Sequence, residues 1–322
     1  MKNQILAMLE QNKGSDISGS EIARRLGISR SAVWKSIKQL QSEGYPIGAA
    51  TNRGYRLAFE SDILSEQSIQ PLLKTAYFGR NMDVFKTIDS TNTFAKGLAQ
   101  CGEAHGKVVL SEMQTNGRGR LERNFYSPGS NGIYMSLILR PRLSMESASL
   151  ITSCAAVAVA EAIEAVAGID TKIKWVNDIY AGGKKLCGIL TEAGMDFESG
   201  SLEYAVVGIG INVSTAKFPE ALRRIATSIA LESKRDFSRS ALIAEVLNRF
   251  EAHYSAIEHR SFLPEYIRRS NVIGQEITVI ALNRTYPAVA VGIDDMARLR
   301  VRLPDGTEQL LNSGEISIRL TD

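Results

Sequence analysis

The sequence predicts an α+β protein built from three domains, because its hydrophobic pattern changes twice along the chain. The first sixty residues carry helical spacing and a hairpin signal, the middle alternates strands with helices, and the last fifty residues form short strands between turns. We place the domains at residues 1–62, 63–270 and 271–322. The length of 322 residues and the hydrophobic fraction of 44% are those of a multidomain globular protein.

The composition excludes several classes of protein and of site. We find no apolar run that approaches the ~20 residues of a membrane span and no secretory signal, so we expect a soluble, cytoplasmic protein without a membrane partner. The three cysteines are far apart and odd in number, which argues against disulfides. The three histidines have no metal-ligand spacing, so neither a zinc site nor a Ser/His/Asp triad is expected. Any chemistry should use lysines, arginines and backbone groups.

Three short helices are predicted near the start of the chain. The first has its apolar residues at helical spacing, at Ile5, Leu6, Met8 and Leu9. Ser18 and Glu21 have the spacing of a capping box that opens the second helix, and Gly27 closes it. Ser29 can cap the third helix, whose outer face is basic and hydroxylated.

The third helix and the residues after it predict a DNA-binding winged helix-turn-helix. Residues 45–57 have the pattern of a hairpin with Asn52-Arg53-Gly54 at its tip, which is a wing. Residues 1–60 carry nine Lys/Arg and five Asp/Glu, a surplus of +4 in a chain whose total is +3. The residues expected to face DNA are Ser29, Arg30, Ser31, Trp34, Lys35, Lys38 and Arg53. A small protein-interaction domain with a solvated charged face is the alternative.

The middle of the chain alternates strands with helices, which predicts a mixed sheet with helices packed against it. Strands are expected at residues 84–88, 107–112, 133–139, 172–175, 186–191 and 204–211. Helices are expected at residues 91–99, 148–167 and 242–254. We find neither a P-loop pattern nor G-x-G-x-x-G after a strand, so any use of ATP here does not employ a P-loop.

Four segments at strand ends have the composition of a ligand site. The first, I-D-S-T-N at residues 88–92, offers donors and acceptors suited to a small polar ligand, although Ser90 or Asp89 would also cap the next helix. The second, Q-T-N-G-R-G-R-L-E-R-N-F-Y-S-P at residues 114–128, joins flexible glycines to three arginines. The forked donors of arginine suit carboxylate and phosphate. A solvated basic loop or a nucleic-acid contact is the alternative for this segment.

The other two segments lie further along the same domain. K-W-V-N-D at residues 174–178 places a cation, an aromatic ring, an amide and a carboxylate together, although Lys174 and Asp178 alone would make a plain surface ion pair. K-K-L-C-G-I-L at residues 184–190 has Gly188 where a ligand can lie on the sheet, or where a bulge needs a glycine. G-I-G-I-N at residues 208–212 ends a strand with an amide.

The last fifty residues predict a small antiparallel β-domain. Short alternating runs from residue 271 onward are separated by turns at Asp294-Asp295 and Pro304-Asp305-Gly306. The pattern suggests an SH3-like β-barrel. A stabilising cap without chemistry and a role in binding ATP or a carrier protein are equally open.

Taken together and in this order, D-S-T-N, Q-x-x-G-R-G-R, K-W-x-N-D and K-L-x-G-I-L resemble the signature of the biotin–protein ligases. With a winged helix in front, the whole chain resembles the bifunctional BirA type, which is both ligase and biotin-operon repressor. The resemblance implies a biotin/lipoate-ligase-like mixed-sheet domain followed by an SH3-like barrel. It implies ATP-dependent activation of biotin as biotinyl-5′-AMP and transfer of biotin to a lysine of the biotin carboxyl carrier protein of acetyl-CoA carboxylase. It also implies Mg²⁺, operator DNA, biotinyl-5′-AMP as corepressor, and a homodimer that forms when the adenylate binds.

The resemblance also assigns roles residue by residue. Biotin would contact Ser90, Thr91, Asn92, Gln114, Arg118, Gly119, Arg120, Lys185 and Gly188. The nucleotide would contact Arg123, Lys174, Asn177 and Asn212, and Asp178 would hold the metal. The catalytic cations would be Lys174, Arg118 and Arg120.

The chain departs from the family pattern in the arginine-rich loop. Leu121 and Glu122 stand where the family usually has an Arg-Gly pair, and Phe125 replaces a tryptophan. We expect weaker retention of the adenylate or weaker loop closure, but not loss of activity. The main rival interpretation is a DNA-binding regulator whose ligase domain only senses ligand. Lipoate ligases share the expected fold, but should lack G-R-G-R and the winged helix.

Overall fold

The structure is a computed structural model that describes residues 1–50, 53–120, 123–144, 147–196, 198, 200–281, 284–312 and 315–318. Residues 1–72 form one compact unit and residues 73–322 a second. Asn52 at the expected wing tip and the unusual Leu121-Glu122 pair lie outside the described residues.

The first unit contains the predicted helices and hairpin. Its elements are α1 (Lys2–Gln11), α2 (Gly19–Leu26), α3 (Arg30–Ser42), β1 (Ile47–Ala50), β2 (Gly54–Leu57) and the short α4 (Glu66–Ile69). The apolar residues expected to face inward from α1 are all buried in one core with those of α2, α3 and the hairpin. The amphipathic spacing therefore packs the three helices and the hairpin around one core.

The capping signals of this unit are partly confirmed. Ser18 Oγ accepts the backbone N–H of Glu21 at 3.0 Å, and Ser29 Oγ accepts that of Ala32 at 3.2 Å. Gly27 is left-handed at the end of α2, with φ of 65°. The reciprocal half of the capping box is absent among the hydrogen bonds of the described residues, because the Glu21 carboxylate binds Arg24 and Arg25 instead.

The second unit is built on a seven-stranded mixed sheet in the order β3-β4-β5-β9-β8-β7-β6. The strands are β3 (Met82–Phe85), β4 (Val108–Ser111), β5 (Gly132–Leu139), β6 (Lys172–Lys174), β7 (Asp178–Ala181), β8 (Lys184–Met195) and β9 (Leu202–Asn212). The β3–β4 pair is parallel and the other neighbours are antiparallel. The mixed sheet expected from the sequence is therefore confirmed.

Helices cover this sheet. They are α5 (Thr91–Gln100), α6 (Ala148–Ala167), α7 (Ile229–Glu232), α8 (Arg239–Tyr254) and α9 (Leu263–Arg269). Helix α5 buries Ala95 and Ala99 in a cluster with Val109, Ile138 and Val206 of the sheet. Helix α6 packs against α8, α9 and the strands β6 to β9. The polar N-terminus of α5 is thereby fixed beside the central strands.

Helix α6 corrects one expectation from composition. Its 20 residues are long and apolar enough to cross a membrane, contrary to the expectation that no such run exists. Most of the helix is buried inside the protein. The apolar composition of α6 is that of a core helix.

Three differences from the expected elements have local causes. The first strand of the sheet lies at Met82–Phe85 rather than residues 84–88, because Ile88 instead forms an isolated bridge with Gln114. Strand β7 was not predicted, since it is only four residues long and its first residue, Asp178, was assigned to the K-W-V-N-D segment. Helix α9 was also missed, because its seven residues span barely two turns and give little period to detect.

The end of the chain is a five-stranded antiparallel sheet. Its strands are β10 (Glu276–Ala281), β11 (Arg284–Ile293), β12 (Leu299–Arg302), β13 (Glu308–Leu311) and β14 (Glu315–Ile318). The order β13-β12-β11-β10-β14 is a four-stranded meander whose first strand also pairs with the last. This is the strand order of an SH3-like barrel, as the sequence predicted.

Candidate active site

A cavity of about 400 Å³ lies on the mixed sheet of the second unit. This volume lies within the range of pockets that bind small molecules. All fourteen residues expected at the biotin, nucleotide and metal positions line it, namely Ser90, Thr91, Asn92, Gln114, Arg118, Gly119, Arg120, Arg123, Lys174, Asn177, Asp178, Lys185, Gly188 and Asn212. Segments that are up to 122 residues apart, from Ser90 to Asn212, therefore meet in one place.

The start of α5 supplies a set of polar groups at one end of the cavity. Thr91 donates from both its backbone N–H (2.8 Å) and its hydroxyl (3.0 Å) to Gln114 Oε1. Gln114 Nε2 donates in turn to Ser127 Oγ at 3.0 Å. Ser90 caps the helix by accepting the N–H of Thr93 at 3.4 Å, so the capping role foreseen as an alternative coexists with its place in the cavity.

Asn92 is held from both ends of its amide. Its Nδ2 donates to Glu192 Oε2 at 2.9 Å, and Ser136 Oγ lies 2.9 Å from its Oδ1. A carboxylate is acceptor-only and a serine hydroxyl can donate, so the two partners select one orientation of the amide. The residue is 4% exposed, and the cavity therefore presents a fixed rather than a rotating amide.

Glycines on the central strands leave room for the Phe125 ring against the backbone. Gly188 of β8 is the register partner of Gly210 of β9. An added Cβ would stand 2.6 Å from the Phe125 ring at Gly210, and 3.4 Å from it at Gly188. The register irregularity between β7 and β8 lies at Ile179 and Tyr180, so Gly188 is not needed for a bulge. The glycines instead let the Phe125 ring lie close to the sheet.

The arginine-rich segment folds back as a narrow hairpin, which we call the flap (residues 117–120 and 123–125). Gly119 N–H donates to Arg123 O at 2.7 Å, and Phe125 N–H donates to Gly117 O at 2.8 Å. A Cβ on Gly117 would stand 2.5 Å from Phe125 O, so this position requires glycine. Arg118, Arg120 and Arg123 all line the cavity, which favours a ligand-binding flap over a solvated loop.

Two flap arginines contact the sheet. Arg118 Nη1 lies 3.3 Å from Glu192 Oε1, and Arg120 Nη1 donates to Asn177 Oδ1 at 3.2 Å. Asn177 Nδ2 donates to the carbonyl of Ile189 at 2.6 Å, which fixes the amide that receives Arg120. The flap is therefore anchored to β8 and to the β6–β7 turn.

A group of charged residues lies on strands β6 to β8. Asp178 pairs with Lys185, with 2.8 Å between Oδ1 and Nζ. That same Oδ1 is buried and makes no hydrogen bond of good geometry, so the contact is an ion pair by distance only. Lys174 Nζ lies 5.8 Å from the centroid of the Tyr180 ring. At the end of β9, Asn212 Nδ2 donates to Thr227 O at 3.0 Å.

Neither Tyr134, which lines the cavity, nor Cys187, next to the cavity residue Gly188, is activated as a nucleophile. Burial raises the pKa of the Cys187 thiol well above its usual value, and it does the same for the Tyr134 hydroxyl. Both groups stay protonated at neutral pH. The chemistry available to the site is therefore that of cations and amides.

Asp178 is the residue that fits a Mg²⁺ ion. The described residues contain no cluster of three or more His, Cys, Asp or Glu side chains that would enclose a metal. Mg²⁺ bound with a nucleotide needs few protein ligands, since phosphates and water fill most of its octahedron. The buried Asp178 Oδ1, an acceptor without a hydrogen bond, suits one such position.

Comparisons with known proteins agree with this arrangement. Family models match an HTH domain at residues 2–56, the biotin/lipoate A/B protein ligase family at residues 84–212, and the biotin protein ligase C terminal domain at residues 272–319. The bifunctional ligase/repressor BirA of Bacillus spizizenii is 38% identical over 97% of both chains. The chain belongs to the BirA family of bifunctional ligase/repressors.

Other members of this family are more distant but cover nearly the same length. The BirA of Escherichia coli is 27% identical over 98% of this chain and 96% of its own. Among solved structures, a biotin protein ligase from Aquifex aeolicus in complex with biotin and ATP is 27% identical, with a TM-score of 0.64. It covers 75% of this chain and 100% of the Aquifex chain.

The first unit of this BirA-family chain carries the predicted DNA-binding surface. All seven residues expected to face DNA are exposed on α3 or at the wing. Trp34 is 53% exposed and has Lys38 Nζ 6.0 Å from its ring. Arg53 of the wing lies 3.3 Å from Asp16, which also forms a two-armed ion pair with Arg56. The predicted recognition face is therefore exposed, and Arg53 and Arg56 of the wing both pair with Asp16.

Several residues of the site were missed from the sequence. Ser136 and Glu192 lie within strands whose sequence patterns indicate structural roles, and they reach the cavity through other residues. Ser136 contacts Thr91 and Asn92, and Glu192 contacts Asn92 and Arg118. The G-I-G spacing of Gly208 and Gly210 was a usable signal, because residues two apart share one face of a strand. A group of apolar residues also lines the cavity, namely Phe218, Leu222, Ile225 and Ala226. No motif marks that group.

Proposed function

We propose that the protein is an ATP-dependent biotin–protein ligase that also represses transcription from a biotin operon. It forms biotinyl-5′-AMP from biotin and ATP, then transfers biotin to a lysine of the biotin carboxyl carrier protein of acetyl-CoA carboxylase. The observation that carries this proposal is the convergence of the four signature segments on one cavity. The flap arginines and the winged helix favour this activity over that of a lipoate ligase.

The first step joins two anions, the biotin carboxylate and the α-phosphate of ATP. Their repulsion is about 4 kcal/mol at 4 Å in an effective dielectric of 20. Lys174, Arg118 and Arg120 line the cavity and have the charge that removes this barrier. Because positioned cations and alignment suffice, no covalent intermediate with the protein is needed.

We propose that Mg²⁺ is bound together with ATP. Asp178 would hold it, and the ion would neutralise charge on the leaving pyrophosphate. Lys185, the ion-pair partner of Asp178, would then be released toward the biotin and nucleotide oxygens. Asn177 and Asn212 also line the cavity and offer amides for the nucleotide.

The flap explains how a labile intermediate survives. Biotinyl-5′-AMP is a mixed anhydride that water hydrolyses, so the site must admit substrates and then exclude solvent. Arg118 and Arg120 bind sheet residues at distances of 3.2–3.4 Å, which supports a flap closed by its own cations. The acceptor lysine then attacks the acyl carbon and forms the amide bond, with loss of a proton from its amine. The bond from the acyl carbon to the phosphate oxygen breaks, and AMP leaves with that oxygen and the bonding electrons.

The ligase activity is tested by incubating the protein with biotin, ATP labelled at the α-phosphate, and a biotin carrier domain. We expect label in biotinyl-5′-AMP and biotin on the carrier. Labelled adenylate without carrier modification would contradict the transfer step. Absence of both products, with biotin still bound, would favour the regulator that only senses ligand.

We further propose that adenylate binding favours a homodimer, which aligns two winged helices on a two-part operator. A ligand that orders the flap changes the surface around it, and it shifts the equilibrium toward whichever assembly binds it better. One winged helix covers little DNA, so a pair is required for specific affinity. Sedimentation that shows the same self-association with and without biotinyl-5′-AMP would contradict this coupling.

A further inference from the structure

Glu192 lies at the centre of a charged cluster beside the cavity. It is on β8, with Val206 of β9 as its register partner, and its side chain is 16% exposed. Its two carboxylate oxygens receive donors from three separate places. These are Asn92 at the start of α5, Lys96 one turn further on, and Arg118 of the flap.

The three contacts differ in what they hold. Asn92 Nδ2 donates to Oε2 at 2.9 Å, which fixes the buried amide in the cavity. Lys96 Nζ lies 3.4 Å from Oε1, and Lys96 is not among the residues that line the cavity. Arg118 Nη1 lies 3.3 Å from Oε1 and 3.4 Å from Oε2, so it meets both oxygens. One carboxylate thus joins the ligand-contacting end of α5 to the flap.

We propose that Glu192 is a positioning residue that latches the flap through Arg118 and orients the Asn92 amide. This proposal rests on the proposed ligase activity. Among the described side chains, Glu192 accepts every hydrogen bond that Arg118 donates. An opposite charge at contact distance favours the closed position of a flexible cation.

The latch is expected to be weak enough to open. An exposed ion pair contributes little, and Arg118 is half-exposed. The Glu192 carboxylate is mostly shielded and shared among three donors, which makes its own position firm. A firm anion with one loosely bound cation is the arrangement of a latch rather than of a permanent brace.

The test replaces Glu192→Gln, which keeps the size of the side chain and removes its charge. Lys96→Met is the matched control, because it removes the other cation of the same carboxylate without touching the flap. The first readout is tryptic cleavage after Arg118, Arg120 and Arg123 in the ligand-free protein, followed by mass spectrometry. The second is the rate at which preformed biotinyl-5′-AMP leaves the protein after dilution.

In Glu192→Gln we expect tryptic cleavage of the flap and release of the adenylate both to be about fivefold faster than in the wild type. In Lys96→Met both rates should equal those of the wild type. Glu192→Asp keeps the charge but withdraws it by one methylene, so its rates should fall between those of Gln and the wild type. Were Glu192→Gln to fold poorly, this graded Glu192→Asp response would still test the latch.

The outcomes separate the latch from the activity on which it rests. A wild-type protein that forms no adenylate would contradict the ligase proposal itself, whereas the tryptic readout needs no activity. Equal flap cleavage and adenylate release in Glu192→Gln and the wild type would overturn the latch. Equal acceleration in Lys96→Met would also overturn it, since the effect would then belong to the cluster as a whole.

Discussion

The replacement Gly208→Ala tests whether the sheet surface must stay bare beneath Asn92. An added Cβ on Gly208 would stand 2.8 Å from Asn92 Cγ and closer still to its Oδ1. Asn92 cannot absorb this by a small shift, because Ser136 and Glu192 hold opposite ends of its amide. We therefore expect the methyl group to push the amide out of its place in the cavity.

The magnitude follows from the two hydrogen bonds that are lost. A neutral hydrogen bond contributes about 1 kcal/mol, and one to a charged group about 1.5–3 kcal/mol. The displacement of Asn92 then costs about 2.5–4 kcal/mol, divided between stability and biotin affinity. If affinity bore all of it, the dissociation constant of biotin would rise by roughly 60- to 900-fold.

Calorimetry with biotin and thermal unfolding measure the two parts. Gly97→Ala is the matched control, since nothing lies within 4 Å of its added Cβ and the residue is in a helix, where alanine is preferred. The double variant Asn92→Ala with Gly208→Ala is the decisive comparison. Once Asn92 is replaced by alanine, the methyl group added at residue 208 has no amide to displace. Gly208→Ala should then add almost nothing to the effect of Asn92→Ala alone. Full additivity of the two replacements would refute the reasoning, as would a Gly208→Ala protein that binds biotin like the wild type.

Three further outcomes are expected. Arg120→Gly should release adenylate and label bystander lysines, visible on a streptavidin blot; strict labelling of the carrier at an undiminished rate would contradict this. Lys35→Ala should weaken DNA binding equally on all sequences. Titrations at several salt concentrations should show that the slope of the logarithm of the binding constant against the logarithm of the salt concentration falls in magnitude by about one. Hydrogen bonding to Arg268 and attraction to both Arg268 and Arg269 lower the pKa of Glu265 to about 2. Since the pKa of Glu265 is depressed in the folded state, its stabilisation is present above about pH 4.5 and is lost on acidification toward pH 2. The free energy of unfolding of Glu265→Gln, measured across this pH range, should therefore fall less steeply on acidification than that of the wild type.

Much of the architecture was predictable because local signals and tertiary packing agree. Helix α6 was expected at residues 148–167, and it is bounded there by Ser147 and the left-handed Gly168. Helix α3 was expected from the Ser29 cap, which forms the anticipated hydrogen bond. The missed β7 and α9 are short, and their existence depends on neighbours that no local pattern reveals.

The residues of the site also divide into those that the sequence predicted and those that it did not. Residues carried by short motifs, such as Gln114 and Asn177, were identified because the motif is contiguous in sequence. Ser136 and Glu192 were not, because each acts through a partner 44 to 100 residues away, and such pairings exist only after the sheet has formed. Motifs therefore predicted side chains that line the cavity, while the residues that orient those side chains required the fold.

The charge of the cavity argues against a protein that only senses biotin. Among the described residues, the charged side chains that line it are Arg118, Arg120, Arg123, Lys174, Lys185 and Asp178, five cations and one carboxylate. Glu192 lies beside the cavity and pairs with Arg118. Biotin carries a single carboxylate, which is fewer acceptor groups than this set of cations can bind. ATP brings several further negative charges to the same place. A cavity with this surplus is explained when a carboxylate and a polyphosphate occupy it together, which is the situation of an adenylating enzyme and not of a receptor for biotin alone.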